Sequence, residues 1–565
     1  MWRVRSPAGD PSSQGGPRSP ARDRVDPDDT TSRDSMLVSG GTALARLTGV
    51  ARVVVISAVL GPTTFGNAFQ ITNSLPNLIY YGFLAGSMVA TLLVPTLVRH
   101  LVAGDPAEVP GIARGFLGVA LIGSAMTLPL MVLGLPWLLQ ITSAGTPAAT
   151  ADEQVGLVTV LAALTAPQVM LYAVAGTGAA VMYAHRRFAL PAFAPALENI
   201  GLIMVFLVCA ATYGVGHESA TVPRGELLLL GVGATAAVGL HAGLQWWGAH
   251  RCGVNLVPGR GWAVPEVRAI VSRAMRSMAQ AGLLATQTVA MLVVMARVPG
   301  GVVALQIALN FYFLPLALIA TPVGLAALPR LARLHHRGDL ATFWDAYARA
   351  VMLALFLIVP ASVGYVVLAQ PIARLVGVGA MATGDGYDLI AGALALLSIG
   401  LAGAAVFFIS TQASYSRNDA RRPLRSMTVQ TVVCLALIGL AVPLVSGDTL
   451  VRAVGAAYAV GCLVGAGHLF VTMTAGAQEV ARSCLRALGR VLVGTVAMLP
   501  AVLAVVATVP HLVPGRLGYL LTVVVGSLGG ALVFGGAQAL LHAPELSWLG
   551  SVFRSRSAPV EVGIP

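Results

Sequence analysis

The sequence predicts an all-α polytopic membrane protein of about 14 transmembrane helices, built as two pseudo-symmetric six-helix lobes plus two C-terminal helices. Three observations predict it. Of the 565 residues 56% are hydrophobic and only 10% charged, with mean hydropathy +0.81, whereas a soluble domain carries roughly 25% charged residues. Apolar stretches of the length a bilayer demands, roughly 20 residues for a helix, recur along the chain. The arginines between those stretches are dense on every second connection and sparse on the others. A cytosolic enzyme and a disordered chain are excluded by the first observation. A transmembrane barrel is excluded by the absence of period-two alternation.

In chain order, residues 1–35 carry six Arg and six Asp without an apolar core, which predicts a disordered cytoplasmic tail and not a signal peptide. Met36 is a second candidate start. The acidic cluster Asp26-Pro27-Asp28-Asp29 in this tail reads as solvated charge. Spans follow at 36–60, 72–98, 112–137, 156–182, 189–213 and 226–249, giving an N-lobe over 36–250. Spans at 276–296, 301–328, 346–370, 386–412, 424–446 and 450–475 give a C-lobe over 251–480. Two more, 487–509 and 517–541, occupy 481–542, and 543–565 form a second cytoplasmic tail.

Orientation follows from the arginines. One side holds 22 of the chain's 35, in groups such as Arg186-Arg187, Arg330/Arg333/Arg337 and Arg417/Arg421/Arg422/Arg425. The other side holds five: Arg224, Arg297, Arg374, Arg452 and Arg516. The rich side is therefore expected to be cytoplasmic, with both termini there, and an even span count agrees. A repeat is also visible. Span 2 ends Val94-Pro95-Thr96-Leu97-Val98-Arg99 and span 8 ends Leu328-Pro329-Arg330-Leu331-Ala332-Arg333, with the final arginines 234 apart. The connections Tyr183–Pro191 and Tyr415–Pro423 place their prolines 232 apart. Both pairs join spans six apart, so the units enter from the same side. Such parallel repeats meet around an axis along the membrane normal, with a cavity between them.

Few residues inside the spans carry charge. Arg46 and Arg52 stand within span 1, where a central arginine costs about 2.5–3.5 kcal/mol on insertion scales. That cost predicts a wet, anion-binding cavity, since the guanidinium fork suits phosphates. Glu198 is the one carboxylate deep in an N-lobe span, a candidate for an arginine pair or for coupling to a cation or proton, with a structural hydrogen bond beside Pro195 as the plainer reading. His241 and His468 read as packing or hydrogen-bonding groups. Asn67, Asn73, Asn77, Gln287, Gln306 and Asn310 are polar candidates for cavity lining or helix-to-helix bonds. Gly82/Gly86 and Gly526/Gly530 read as helix-packing pairs. There is no lysine, hence no Walker A or Schiff-base chemistry. The five cysteines form no CxxC pair and read as small apolar filler. No protease, hydrolase or dinucleotide motif is found, so neither a metal, a cofactor nor an enzyme is expected. The scattered arginines argue against nucleic acid.

Span 1 to span 2 reads Ser39-Gly-Gly-Thr-Ala-Leu-Ala-Arg46-Leu-Thr-Gly49-Val-Ala-Arg52, then Leu60-Gly61, Asn67-Ala-Phe69, Leu75-Pro-Asn-Leu78 and Val94-Pro95. With Pro191-Ala-Phe-Ala-Pro195, Asn199, Leu328-Pro329-Arg330-Leu331 and Tyr415–Pro423, it resembles the MviN/MurJ family of lipid II flippases in the MOP exporter superfamily. The matches spread over 36–425. The resemblance implies alternating access around a cationic cavity, with spans 13 and 14 forming a groove for the lipid tail. It implies transport of undecaprenyl-pyrophosphate-linked peptidoglycan precursor across a bacterial plasma membrane. Arg46 and Arg52 match the family's two span-1 arginines; with the polar Asn67, Asn77 and Asn310 they are the candidate substrate-binding residues. This chain departs by having Val53 and Asn67 where many members have acidic residues, Tyr80-Tyr81 for a basic pair, Ala85 for a Glu and Asn310 for an Arg. The expected partners are lipid II or a related polyprenyl-pyrophosphate lipid and the bilayer, with cell-wall synthesis or division proteins as candidates. The alternatives are an exporter of another lipid-linked glycan, a MATE-like exporter of small amphiphiles, or a membrane glycosyltransferase.

Overall fold

The computed structural model describes residues 27–79, 92–142 and 148–548, and all regular structure within them is helical. The N-lobe is built from α1 (Pro27–Leu60), α2 (Thr64–Ile79), α3 (Val94–Val102), α4 (Glu108–Pro129), α5 (Leu135–Thr142), α6 (Ala148–Thr165), α7 (Pro167–Ala184), α8 (Ala189–Tyr213) and α9 (Arg224–Arg251). The C-lobe has α10 (Pro265–Met295), α11 (Gly301–Pro315), α12 (Thr321–His336), α13 (Leu340–Val376), α14 (Gly386–Ser398), α15 (Leu401–Ser416), α16 (Arg421–Ala441) and α17 (Gly447–Thr474). α18 (Gln478–Leu512) and α19 (Arg516–Leu540) complete the chain's long helices.

Twelve described helices or joined helices are long and apolar enough to cross a bilayer, and α14–α15, bent by 44°, makes thirteen. The expected span at 72–98 passes through 80–91, outside the described residues, and is not in that count; Tyr80-Tyr81, Ala85 and Gly82/Gly86 lie there too. The N-terminal boundary differs from expectation. α1 begins at Pro27, eight residues before the tail was expected to end. Proline suits the first helical turn, where its missing N–H costs nothing. At the other end, 544–548 form a further helical turn instead of a free tail. Glu545 is buried and accepts from Arg490 Nη2 at 3.2 Å, and the Arg349 guanidinium sits 5.9 Å from the Trp548 ring.

The repeat is visible in which helices touch. In the N-lobe α1 packs on α8, α8 on α9, α9 on α7, α7 on α3 and α4, and α2 on α6. Six spans later α10 packs on α16, α16 on α17, α17 on α15, α15 on α12 and α13, and α11 on α14. The fourth and tenth spans also break at matching places: Thr165 and Ser398 end their first halves 233 positions apart. Pro167 removes a backbone donor at the first break, and Leu401 opens the next helix after Gly400 at the second. α18 and α19 pack on each other and on α13, outside this pattern. Gly530 permits the close approach of α19 to Val502 of α18, in keeping with helix packing. The Asp339 carboxylate caps α13, accepting from Thr342 N at 3.1 Å, and the Thr342 side chain and then this backbone bond hold its carboxyl below the usual range.

Packing in the lobes depends on backbone approach where no apolar driving force separates helix from lipid. At Gly178 on α7 a Cβ would lie 2.6 Å from the Gln245 carbonyl oxygen of α9. Gly178→Val is expected to destabilise the N-lobe by about 1–3 kcal/mol through overpacking. The check is a lowered unfolding temperature in detergent; an unchanged one would refute the close-packing argument.

Candidate functional site

α1 carries the two intramembrane arginines. Arg52 lies eight residues and Arg46 fourteen from the helix end at Leu60, or about 12 and 21 Å along the axis at 1.5 Å per residue. Both depths fall inside a bilayer core of roughly 30 Å. Arg46 is exposed; Arg52 is half-buried, and its Nε is enclosed without a hydrogen-bond partner. Among the described residues neither forms an ion pair. α1 is fixed beside α8 by Asn199, whose Nδ2 donates to Ala45 O at 3.1 Å and to Thr48 Oγ1 at 3.2 Å, on either side of Arg46.

The arginine-poor ends of the two lobes are bonded together. Asn67 is fully buried and every polar atom of its amide is used. Nδ2 donates to Val298 O at 2.7 Å and Ala296 O at 3.4 Å, and Oδ1 accepts from Val302 N at 2.9 Å. This corrects its expected place among cavity-facing groups: Asn67 is a joint between α2 and the turn before α11. Gln154 Nε2 donates to the same Ala296 O at 3.2 Å. Gly300, at φ +73°, donates its N–H to Thr63 O at 3.3 Å, and a Cβ there would overlap Pro62. Deeper, Gln306 Nε2 of α11 donates to Ser74 Oγ of α2 at 2.7 Å. Toward the arginine-rich face α3 packs against α4 and α7 and α12 against α13 and α15, while the chain entering α10 crosses to α4: Gly259 N donates to Arg114 O at 2.9 Å, and Val267 and Ile270 share a core cluster with Ile112 and Phe116. Among the described residues the two lobes are thus bonded at the arginine-poor face through α2 and the turn before α11, and α10 also packs on α4 toward the other face.

Asn310 and Asn77 lie below that joint. Asn310 is half-buried and donates only to Gln306 O of its own helix, at 2.8 Å. Asn77, also half-buried, donates to Tyr172 Oη at 3.5 Å. Tyr172 in turn donates to Glu198 Oε1 at 2.7 Å, and His241 Nδ1 lies 2.6 Å from Glu198 Oε2. Gln245 Nε2 faces the other ring nitrogen of His241 at 3.3 Å. Glu198 therefore pairs with a histidine of α9, and neither Arg46 nor Arg52 is within ion-pair distance of it. In the C-lobe, the 232-residue offset places Gln430 opposite Glu198. Gln430 donates to Gln287 Oε1 at 3.2 Å, and Gln287 to Thr431 Oγ1 at 2.8 Å.

Tyr172, Gln245 and Gln154 were not singled out from sequence. Gln245 follows His241 by four residues, hence on one helix face; Tyr172 sits in an apolar run and gives no such signal. His468 donates to or accepts from Ser426 Oγ at 2.9 Å. Among the described residues no group of His, Cys, Asp and Glu could hold a metal, and the five cysteines are free thiols.

A family model described as lipid II flippase MurJ matches residues 56–525. A probable lipid II flippase MurJ of Rhizobium tropici is 25% identical over 440 residues, 77% of this chain and 79% of that protein. A lipid II flippase MurJ of Burkholderia cenocepacia is 23% identical over 433 residues, 75% and 81% of the two chains. Among solved structures, a lipid II flippase MurJ in an inward closed conformation superposes with TM-score 0.68 at 16% identity, over 90% of this chain and 99% of that one. An inward-facing multidrug resistance MATE transporter of the MOP superfamily gives TM-score 0.61 at 15% identity, over 78% and 95%.

Proposed function

The chain belongs to the MurJ family of lipid II flippases, and from that membership we propose that it carries undecaprenyl-pyrophosphate-linked peptidoglycan precursor from the inner to the outer leaflet of the plasma membrane by alternating access. The carrying observation is the pair of α1 arginines, at mid-bilayer depth and without carboxylate partners among the described residues. The arginine-rich face is then cytoplasmic, as are both termini, and the bonded arginine-poor face is the outer one. The diphosphate enters between the lobes and is met by Arg46 and Arg52, which donate paired hydrogen bonds. Asn77 and Asn310 line the path as neutral donors, Glu198 serves as the coupling carboxylate, and the polyprenyl tail stays in lipid beside α18 and α19. Residues 36–250 and 251–480 move as the two lobes. No bond of the substrate is made or broken. The membrane potential favours the anion's outward movement by about 2.3 kcal/mol per charge per 100 mV.

Depleting the protein and then measuring lipid II accessible to an externally added cleaving agent tests this. Accessible lipid II is expected to fall while total lipid II rises. Unchanged accessibility together with new sensitivity to cationic drugs would support the MATE-like reading, which the shared fold keeps as the second one.

A further inference from the structure

We propose that Arg374, Tyr519 and Arg516 form a phosphate site at the arginine-poor ends of α13 and α19, and that its ligand is the diphosphate of a polyprenyl-linked lipid in the outer leaflet. The site rests on the chain's own donors. The choice of lipid, and the outer placing of this face, rest on the flippase reading.

Arginine is sparse at this face, as the orientation rule requires, so each one kept there calls for a cause. Arg452 has one: its Nη2 lies 3.0 Å from Asp448 Oδ2. Arg374 and Arg516 have no ion-pair partner among the described residues. Arg374 stands in the last turn of α13, and Arg516 opens α19. The second placing is unfavourable in itself, because a helix dipole is positive at its N-terminus.

Tyr519 joins the two. Arg374 Nη1 donates to Tyr519 Oη at 2.7 Å, and the guanidinium lies 5.4 Å from the ring centroid. Arg516 precedes Tyr519 by three residues, one turn along the same face of α19. The half-buried tyrosine is held from deeper in the span, where a Cβ on Gly526 would lie 3.1 Å from Leu368 Cδ2 of α13. Since Oη accepts from the guanidinium, its own hydrogen is free to be donated, and it has no acceptor among the described residues. The other N–H groups of Arg374, and the side-chain N–H groups of Arg516, have none either. Asp388 of α14 does not answer them: it accepts from Gln370 Nε2 at 2.6 Å, one turn before Arg374 on α13, and pairs with neither arginine. The side chains of this corner thus offer hydrogens without acceptors. A ligand that only accepts, through several oxygens, matches them, and a guanidinium meets phosphate with two parallel bonds.

The position suits a lipid headgroup. The residues lie at helix ends, where the polar layer of a bilayer begins, and Leu517 and Leu520 beside them are exposed. The corner also belongs to the part of the fold outside the repeat. Counting back 232–234 residues from Arg374 gives Thr142, Ile141 and Gln140, none of them a cation. The site therefore goes with α18 and α19, beside which the flippase reading places the polyprenyl tail. A lipid whose tail lies there has its diphosphate at this end once the headgroup is outward. A diphosphate carries more charge and more acceptor oxygens than the single phosphate of a phospholipid, and two arginines with a hydroxyl fit the larger group. Binding here favours the delivered state over return.

The test places a benzophenone amino acid at Leu517 of the full chain, in phosphatidylcholine nanodiscs, and measures photocapture of a radiolabelled undecaprenyl diphosphate. Capture is expected to be saturable. Arg374→Gln should lower it about tenfold, and Arg516→Gln and Tyr519→Phe several-fold, while Arg374→Lys recovers part. Arg516→Gln guards against a folding artefact, because that side chain holds nothing else among the described residues. Undecaprenyl monophosphate should be captured several-fold less. Capture unchanged in both Arg374→Gln and Arg516→Gln overturns the site. Equal capture of a phosphatidylglycerol probe, or loss of capture to an equal concentration of inorganic pyrophosphate, overturns the choice of ligand. Flipping of fluorescent lipid II by the same protein in vesicles is followed in parallel. Arginine-dependent capture by a chain that flips no lipid II would overturn the flippase reading and leave the phosphate site standing.

Discussion

Arg46→Ala and Arg52→Ala are each expected to abolish complementation of flippase-depleted cells while the protein accumulates in the membrane at wild-type level. Insertion should not suffer. An arginine at the centre of a span costs about 2.5–3.5 kcal/mol on the insertion scale, so its removal eases membrane integration. Neither side chain has an ion-pair partner to be orphaned among the described residues. Transport should suffer because few other cations lie within the spans: Asn310 is neutral where the resemblance implies an arginine. The two arginines are six residues apart, about 120° around a helix of 3.6 residues per turn, so they meet the headgroup from different angles and one does not replace the other. Lysine at either position keeps the charge but loses the paired donors, and partial activity is expected. The check is growth after depletion combined with externally accessible lipid II. Full complementation by both alanine variants would remove the anion-binding role.

The architecture was legible because its causes are local and repeated. Apolar length gives a span, arginine density gives a side, and two short X-Pro connections 232–234 residues apart announced a duplication that the helix pairings repeat. The breaks at Thr165 and Ser398 were not foreseen, because they interrupt runs that stay apolar throughout. The start of α1 was missed because composition outweighed the capping signal: Pro27 flanked by aspartates looks like tail until it is read as a first helical turn. The site was legible in part. Charge inside an apolar run stands out, so Arg46, Arg52 and Glu198 were found; partnership does not, because Glu198 meets His241 from 43 residues away and Tyr172 from 26. Asn67 shows the limit most clearly. Its residue type and its place in a family motif were visible, but its three bonds run to residues 229–235 positions later, and only the fold shows that its amide is already fully used.

Asn67→Ala is expected to loosen the bonded arginine-poor face, which the proposed orientation makes the outer one, and to shift the protein toward states open there. The substitution leaves the Val302 N–H without its buried partner, at about 1–3 kcal/mol unless water recovers it, while Ala296 O keeps Gln154 and Val298 O keeps Gly301 N–H. The penalty applies only while the lobes are closed at this face, because in the open state water reaches the same group. A change confined to one of two states shifts their equilibrium, and every 1.4 kcal/mol is about tenfold. A cysteine replacing Pro62, half-buried under Gly300, reports the opening. With Pro62→Cys as background, a membrane-impermeant maleimide added to cells should label Asn67→Ala at least tenfold faster than the parent. The native cysteines do not interfere: four are buried, and Cys252 follows α9 at the arginine-rich face. Asn67→Asp gives the sign of a pH effect. A carboxylate keeps the bond from Val302 N–H but faces two carbonyl oxygens with no hydrogen to offer, so closure favours its protonated form and holds its pKa above the ordinary value. Closure is then complete below the ordinary aspartate range and lost as pH rises through the raised value, and labelling should slow as the external medium is acidified. Labelling that is equal in the parent, Asn67→Ala and Asn67→Asp would show that the lobes are held shut by packing alone, with Gly300 against Pro62 carrying the closure in place of the amide.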